Sequence, residues 1–293
     1  MKTPPCYVVI TPVRDEVRHV EATLAAVGGQ THVPARWVIV DDGSSDGTGA
    51  LLDRYAAGRP WIDVIHRPDR GRRAPGGGVM DAFHAGLERL SEVAWDFLVK
   101  LDGDLSFEPD YFTRCLAHFE AEPTLGIGGG TVCARDPDGR LRVESVGDPP
   151  FHVRGATKIY RRACWEQIAP LPRTPGWDTV DEVCANRHGW RTRSFAELAL
   201  VQHKPTGSAD GCWINAFKNG RANYLTGYHP AFMLAKCVKR ARRAPLGIEA
   251  AGLFAGFVSG YWKRLPRAAD SETVRYLRRQ QVRRMLLRSS IYG

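Results

Sequence analysis

The hydrophobic residues of this chain fall into short, nearly solid runs in its first hundred positions. Tyr7-Val8-Val9-Ile10, Trp37-Val38-Ile39-Val40, Ile62-Asp63-Val64-Ile65 and Phe97-Leu98-Val99 are each bounded by polar or turn-forming residues. Apolar runs of that length read as buried strands. The first is expected to end at Thr11-Pro12. Between the runs, the spacing changes to that of helices, with Val20, Leu24 and Val27 on one face of residues 19–27 and Met80, Phe83, Leu87 and Leu90 on another. Ser and Asp ahead of Ala50-Leu51-Leu52 are N-cap chemistry for a helix between the second and third strands. Strands alternating with helices predict an α/β fold with a doubly wound, mainly parallel sheet. Further strands are expected at 126–133, weakened by glycine, and at Leu200-Val201-Gln202-His203.

The pattern changes after residue 225. Pro230–Val238 is apolar and runs into Lys239-Arg240-Ala241-Arg242-Arg243. Leu246–Trp262 is rich in Gly, Ala, Phe and Leu with Glu249 as its one charge, and its seventeen residues are the shortest stretch that spans a bilayer. Its glycines and Glu249 argue against a span. Glu272–Arg288 places Val274, Leu277, Val282, Met285 and Leu286 among arginines, a basic amphipathic helix of the kind that lies on membrane surfaces. Packing on the preceding domain, or a dimer interface, is the competing use. Two regions are expected: a catalytic α/β domain over 1–225 and a basic, helical C-terminal appendage over 226–293.

Charge sharpens this division. From Lys236 onward, fourteen Lys/Arg stand against three acids, so the tail carries +11 of a net +9 and residues 1–235 carry −2. An anionic membrane surface is the expected partner of the tail. Nucleic acid is not, because no base-stacking aromatics or binding motif accompany the charge. The seven cysteines are scattered without a C-x-x-C pair, which excludes a zinc framework and fits a reducing cytoplasm. The N-terminus lacks the apolar segment of a secretory signal, so a cytoplasmic protein, peripheral at the inner face of the membrane, is expected. The run GIGGGTVC has Thr131 where a dinucleotide fingerprint needs its third glycine.

Acidic residues close three consecutive strands: Asp15-Glu16, Asp41-Asp42 and Asp102-Gly103-Asp104. Singly, each reads as a cap, a loop charge or a D-G turn. Together they meet at the carboxyl edge of one sheet, where open α/β folds bind ligands. Like charges gathered there call for a cation or hydrogen-bond donors between them. Oxygen ligands suit Mg²⁺ or Mn²⁺, which share them with substrate phosphates.

The order VVITPVRDE, VIVDDGSSDGT and LVKLDGDLSF resembles the inverting family 2 glycosyltransferases of the GT-A fold, over residues 1–215. The resemblance implies that Thr11, Pro12, Arg14 and Glu16 line a nucleobase and ribose pocket and that Asp41 or Asp42 contacts the base. It implies that Asp102, followed by Gly103, faces the ribose and metal, that Asp104 is the direct ligand, and that His203 is a third ligand. Arg70, Arg72 and Arg73 stand where relatives carry a basic, Gly-rich segment, and residues 154–162 match the acceptor-side strand. In Gly176-Trp177-Asp178-Thr179-Val180-Asp181-Glu182, Asp178 matches the general base, with Trp177 replacing the usual Glu. Asp181 and Glu182, one helical turn on, remain alternatives. A mobile loop over Trp213–Tyr224 brings Lys218 and Arg221 to the diphosphate or the acceptor. The donor implied is a nucleoside diphosphate sugar of UDP or dTDP type, and the acceptor a lipid-linked or cell-surface glycan. Single-sugar addition follows from the lack of Q-x-x-R-W. A polyprenyl-phosphate glycosyltransferase is the nearest alternative. A sugar nucleotidyltransferase is disfavoured because Thr11-Pro12-Val13-Arg14 replaces its Gly-rich loop. Dimerisation is left open.

Overall fold

The computed structural model describes residues 4–71, 77–136, 138–144, 146–204, 211–242 and 247–293; Arg72, Arg73 and Arg243 lie outside them. The chain opens with β1 (Tyr7–Val13), α1 (Val20–Gly28), β2 (Arg36–Asp41), α2 (Thr48–Ala56), β3 (Ile62–His66), α3 (Gly77–Glu88) and β4 (Phe97–Leu101). It continues with β5 (Leu105–Phe107), α4 (Tyr111–Ala121), β6 (Leu125–Arg135), β7 (Leu141–Val143), β8 (Thr157–Arg161) and α5 (Arg162–Ile168). It ends with α6 (Trp177–Arg187), β9 (Arg191–Gln202), α7 (Gly211–Thr226), α8 (Pro230–Arg240), α9 (Ile248–Trp262) and α10 (Ser271–Met285).

The strands form one sheet in the order β3-β2-β1-β4-β8-β6-β9-β5, with β7 paired to β6. Strands β3, β2, β1 and β4 are parallel, as βαβ units require, while β8 returns antiparallel against β4. Alternation along each strand feeds two faces. Tyr7, Val9, Trp37, Ile39, Phe97 and Val99 pack with α1, α2 and α4 through Leu24, Leu52 and Phe112. Val8, Ile10, Val38, Val40 and Leu98 pack with α3, α5 and α6 through Phe83, Trp165 and Trp177. A sheet covered on both sides is why these runs are solidly apolar.

β1 runs through its expected stop at Thr11-Pro12 and ends at Val13. Its pairing with β4 ends at Ile10↔Lys100, whereas its pairing with β2 continues through Pro12↔Val40 to Val13↔Asp41. Pro12 therefore lies where only one neighbour remains, and its missing N–H costs the ladder nothing.

The tail departs most from expectation. The segment expected as a loop at 213–224 is helix α7, and α7 packs lengthwise on α9 through glycines. A Cβ on Gly252 would meet Trp213 O and Ala216 Cβ, one on Gly256 would meet Phe217 O and Arg221 N, and one on Gly260 would meet the Tyr224 ring, all at 3 Å or less. Gly220 answers from α7 against Leu253 O. Small residues every fourth position let helix backbones touch, so the glycines of the apolar segment serve an interhelical groove. No described helix is long and apolar enough to cross a membrane. The basic helix α10 is likewise docked. Leu277 and Gln281 are buried, Val274 covers Gly227, and Glu272 accepts Arg187 of α6 at 2.6 Å. Leu277, Leu253, Phe257 and Tyr224 share a cluster with Phe151 and Val183 of the α/β unit, so packing runs across the boundary expected at residue 225.

Gly256→Val inserts two methyl groups and a Cβ where α7 backbone already stands. It should lower stability by about 2 kcal/mol or more, read as a lower urea midpoint with an unchanged m-value.

Candidate active site

The carboxyl ends of the parallel strands enclose a cavity of about 360 Å³. Pro12, Arg14 and Glu16 line it from β1, Asp42 from β2, Asp102, Gly103 and Asp104 from the turn after β4, and Gln202 and Lys204 from the end of β9. The β1 loop is held open by the β2 loop. Asp15, at φ 52°, donates its N–H to Ser44 Oγ and accepts from Ser45 N on its carboxylate, both at 2.9 Å. Glu16 N donates to Thr48 Oγ1 and Val17 N to Asp46 Oδ2. The polar residues of the DDGSSDGT stretch thus mostly stitch loop to loop. Gly103 is obligatory for space, since a Cβ there would strike Val13 Cγ1.

Thr11, Asp41 and His203, all expected here, lie outside this lining, and each is one position from a residue within it. Thr11 is fully buried and its Oγ1 accepts from Trp37 Nε1 at 2.9 Å; Pro12 lines the cavity instead. Asp41 accepts from Ser44 N and pairs with His66, both near 3.0 Å, leaving Asp42 to face the cavity. His203 puts Nε2 on Ser106 Oγ at 2.9 Å, while Gln202 turns inward and donates to Asp104 Oδ2 at 3.1 Å. Successive side chains of a strand point to opposite faces, so a third metal ligand at His203 is not what the fold presents. Asp42 is capped by Arg67 at 2.8 Å and by Arg70, which also reaches Asp81. Lys204, absent from the sequence reading, donates to Glu16 Oε1 at 2.6 Å. No spacing rule pointed to it.

Among these acids Asp104 is the least balanced. Burial, then the neighbouring Asp102 and Glu16 charges, push its pKa up to about 7, against partial relief from Gln202 and Lys100. Glu16 Oε2 is buried with no hydrogen-bond partner. Asp102 has an internal cation, Lys100, which is buried and also donates to Gly155 O. An uncompensated carboxylate, an orphaned carboxylate oxygen and a hard, all-oxygen donor set fit a divalent cation. No group of three or more His, Cys, Asp or Glu able to hold a metal occurs among the described residues. One or two carboxylates supplemented by phosphate oxygens and water is the usual arrangement for Mg²⁺. Asp104 and Asp102 would hold the cation here.

A second cavity, about 550 Å³, opens beside the first and contains Asp178. The Asp178 carboxylate lies over Gly155, where a Cβ would stand 3.4 Å from Asp178 Oδ2 and 3.1 Å from the Trp177 ring. Gly155 O is the same acceptor that Lys100 holds together with Asp102. Asp181 and Glu182 are removed as alternatives for the base. Both are fully buried, with Lys158 Nζ on Asp181 at 2.8 and 2.9 Å and on Glu182 at 2.8 Å. Tyr160 donates to Asp181 at 2.6 Å, and Glu182 takes His152 and Val153 N. Burial works against a charged His152, yet Glu182 holds its pKa above the ordinary value. Lys218 and Arg221 line this second cavity rather than the first.

Comparison with known proteins gives the family and the fold. Residues 8–168, more than half of the chain, match glycosyl transferase family 2. The polyprenol monophosphomannose synthase of Mycolicibacterium smegmatis is 36% identical over 109 residues, which is 35% of this chain and 37% of that protein. The undecaprenyl-phosphate mannosyltransferase of Micrococcus luteus is 36% identical over 133 residues, 45% and 49% of the two chains. The chain thus spans half or less of these relatives. Among solved structures, the mannosyltransferase PcManGT from Pyrobaculum calidifontis, in complex with GDP-Man and Mn²⁺, superposes with a TM-score of 0.60 at 19% identity, covering 89% of this chain and 88% of that one. S. aureus TarS 1-349 in complex with UDP-GlcNAc gives 0.52 at 16% identity, covering 93% and 78%. The shared fold is GT-A.

A raised carboxylate pKa has a defined sign. Between about pH 4 and pH 7 folded Asp104 keeps a proton that the unfolded chain releases, so stability falls as pH rises through that window. Asp104→Asn removes the fall. Without metal, the variant should match wild type near pH 4 and exceed it at pH 8 by at most about 4 kcal/mol, measured by urea unfolding. Mn²⁺ should stabilise wild type and leave the variant unchanged.

Proposed function

The chain belongs to glycosyl transferase family 2, and we propose that it moves a sugar from a nucleoside diphosphate donor to an acceptor hydroxyl with inversion. The carrying observation is that the two acids stand on facing lysines: Lys100 donates to Asp102 and to Gly155 O, and Lys158, opposite it, donates to the backbone carbonyl of Asp178, whose carboxylate lies over Gly155. With the donor in the first cavity and the acceptor in the second, the Lys100–Gly155 contact would stand between them. Asp178 takes the hydroxyl proton as the oxygen bonds to the anomeric carbon and the carbon–diphosphate bond breaks. A divalent cation at Asp104 and Asp102 would offset the charge of the departing diphosphate. Arg14 and Lys204 line the same cavity and add positive charge there. Uracil or thymine is the base expected from the sequence.

Asp178→Asn should lower kcat by about 10²–10⁴-fold and leave donor binding intact. Full activity in that variant would favour transfer to a polyprenyl phosphate, whose oxygen needs no base. Melting temperature against UDP, dTDP, GDP and ADP, with and without Mn²⁺, names the nucleotide. A metal-dependent rise for one of them, lost in Asp104→Ala, supports the site; no rise with any of them overturns it.

The tail supports work at a membrane surface, through a different helix from the one expected. The outward face of α9 carries Phe254, Val258, Tyr261 and Trp262, the last 87% exposed, and α8 adds Leu234 and Val238. Lys263 and Arg264 close the end of α9. An exposed apolar stripe ending in cations suits an anionic bilayer surface. The protein should sediment with vesicles containing phosphatidylglycerol, less so at high salt, and Trp262→Ser with Phe254→Ser should abolish this. Loss of a dimer in the double variant, without vesicle binding by wild type, would assign the stripe to self-association.

A further inference from the structure

The second cavity carries more positive charge than transfer to a neutral sugar hydroxyl requires. Arg154, Lys218, Arg221, Lys236 and Arg240 line it, against Asp148 and Asp178. Two of these cations have structural partners, Arg154 with Glu144 at 3.2 Å and Arg240 with Glu249. Two others are less satisfied. Arg221 Nε is buried with no acceptor and its guanidinium stacks on Phe217. Lys236 has no acceptor for its ammonium among the described residues and rests on the Tyr228 ring, 5.2 Å from its centre. Burial and then Arg240 lower the Lys236 pKa to about 8, against partial relief from Asp148 and Glu249.

The charge is also ordered in space. Asp178 sits on the sheet side, over Gly155. Lys236 and Arg240 stand where the cavity adjoins a further one of about 510 Å³, which shares Asp148, Tyr228, Lys236 and Arg240 but not Asp178. A phosphate oxygen placed at Asp178 would meet a carboxylate. A phosphate that reaches Arg221 or Lys236 would supply the acceptor each lacks.

We propose that this cavity is an anion site, built by α7 and α8, for the phosphate or diphosphate ester of a saccharide acceptor whose hydroxyl faces Asp178. The place of the hydroxyl rests on the glycosyl-transfer reading; the anion site does not. The ester is a handle, and the bonds that change are those at the sugar.

The test uses inorganic pyrophosphate with the full chain in EDTA, so that the metal-dependent donor site is silent. Pyrophosphate at ten times its Kd should raise the melting temperature by about 3 °C, in wild type and equally in Asp104→Asn. Lys236→Gln and Arg221→Gln should each weaken binding at least tenfold, while Lys236→Arg, which keeps the charge, should retain it. Absence of a shift, a shift that needs Mn²⁺, or one that survives both Gln variants overturns the proposal. The unliganded melting temperature of each variant reports whether it folds. Failure of the donor titration with Mn²⁺ would remove the glycosyl-transfer reading while leaving the pyrophosphate result standing.

Discussion

Lys100 and Lys158 face each other directly across the β4–β8 ladder, both buried. Like charges at opposed positions destabilise a sheet, and an unpaired ammonium in a protein interior costs several kcal/mol. The structure meets the cost on both sides at once. Lys100 donates to Asp102 and Gly155 O; Lys158 donates to Asp181, Glu182 and the backbone carbonyl of Asp178. The Trp177 ring lies against both, 5.4 and 5.5 Å from the two ammonium groups. Trp177 occupies the place of an acid in the family pattern, and its face is a cation-binding surface that needs no further carboxylate. Asp102 and the backbone of Asp178 are thereby fixed to facing lysines of one strand pair.

The C-terminal helices complete that arrangement. α7 and α8 supply one wall of the second cavity, and α7 is held in place by the backbone contacts that the glycines of α9 permit. α10 locks α6 from outside through the Arg187–Glu272 pair and the buried Leu277. The tail, expected as a basic helical appendage with packing on the domain as the competing use, packs on the α/β unit and lines the second cavity. Its charge divides accordingly: some arginines bind protein carboxylates and carbonyls, such as Arg240 on Glu249 and Arg278 on Gly227 O, while Lys263 and Arg264 stay exposed.

Strand positions and the two apolar faces were legible in the sequence because burial on both sides leaves an unbroken hydrophobic run. The loops were legible to within one residue, and that residue mattered. Thr11, Asp41 and His203 each belong to a pair whose other member, Pro12, Asp42 or Gln202, faces the cavity. Side-chain direction at a strand end depends on register, which motif spacing does not carry. The separation of Asp178 from Asp181 and Glu182 was beyond reach for another reason. It depends on Lys158 and His152, which lie twenty or more residues upstream and meet the acids only through the β8–α6 contact. The glycines at 252, 256 and 260 were visible, but what they face is a property of α7.

The chain's own cations sort its acids into structural and functional ones. Asp41 has His66, Asp42 has Arg67 and Arg70, and Asp181 and Glu182 have Lys158. Each of those acids is already neutralised in a local pair or network, and a ligand must displace a partner to use it. Asp104 has only Gln202 and is surrounded by like charge; Asp178 has no cation within ion-pair distance among the described residues. A buried or half-buried carboxylate left in that state is stabilised only when something from outside supplies charge or a proton. Asp104 is short of positive charge, which a divalent cation provides, and Asp178 is a proton acceptor at a cavity wall. The same reasoning inverts on the opposite wall, where Arg221 and Lys236 are cations short of an anion. The two cavities therefore differ in sign, with acids predominating in the first and cations in the second, as the proposed donor and acceptor sites require.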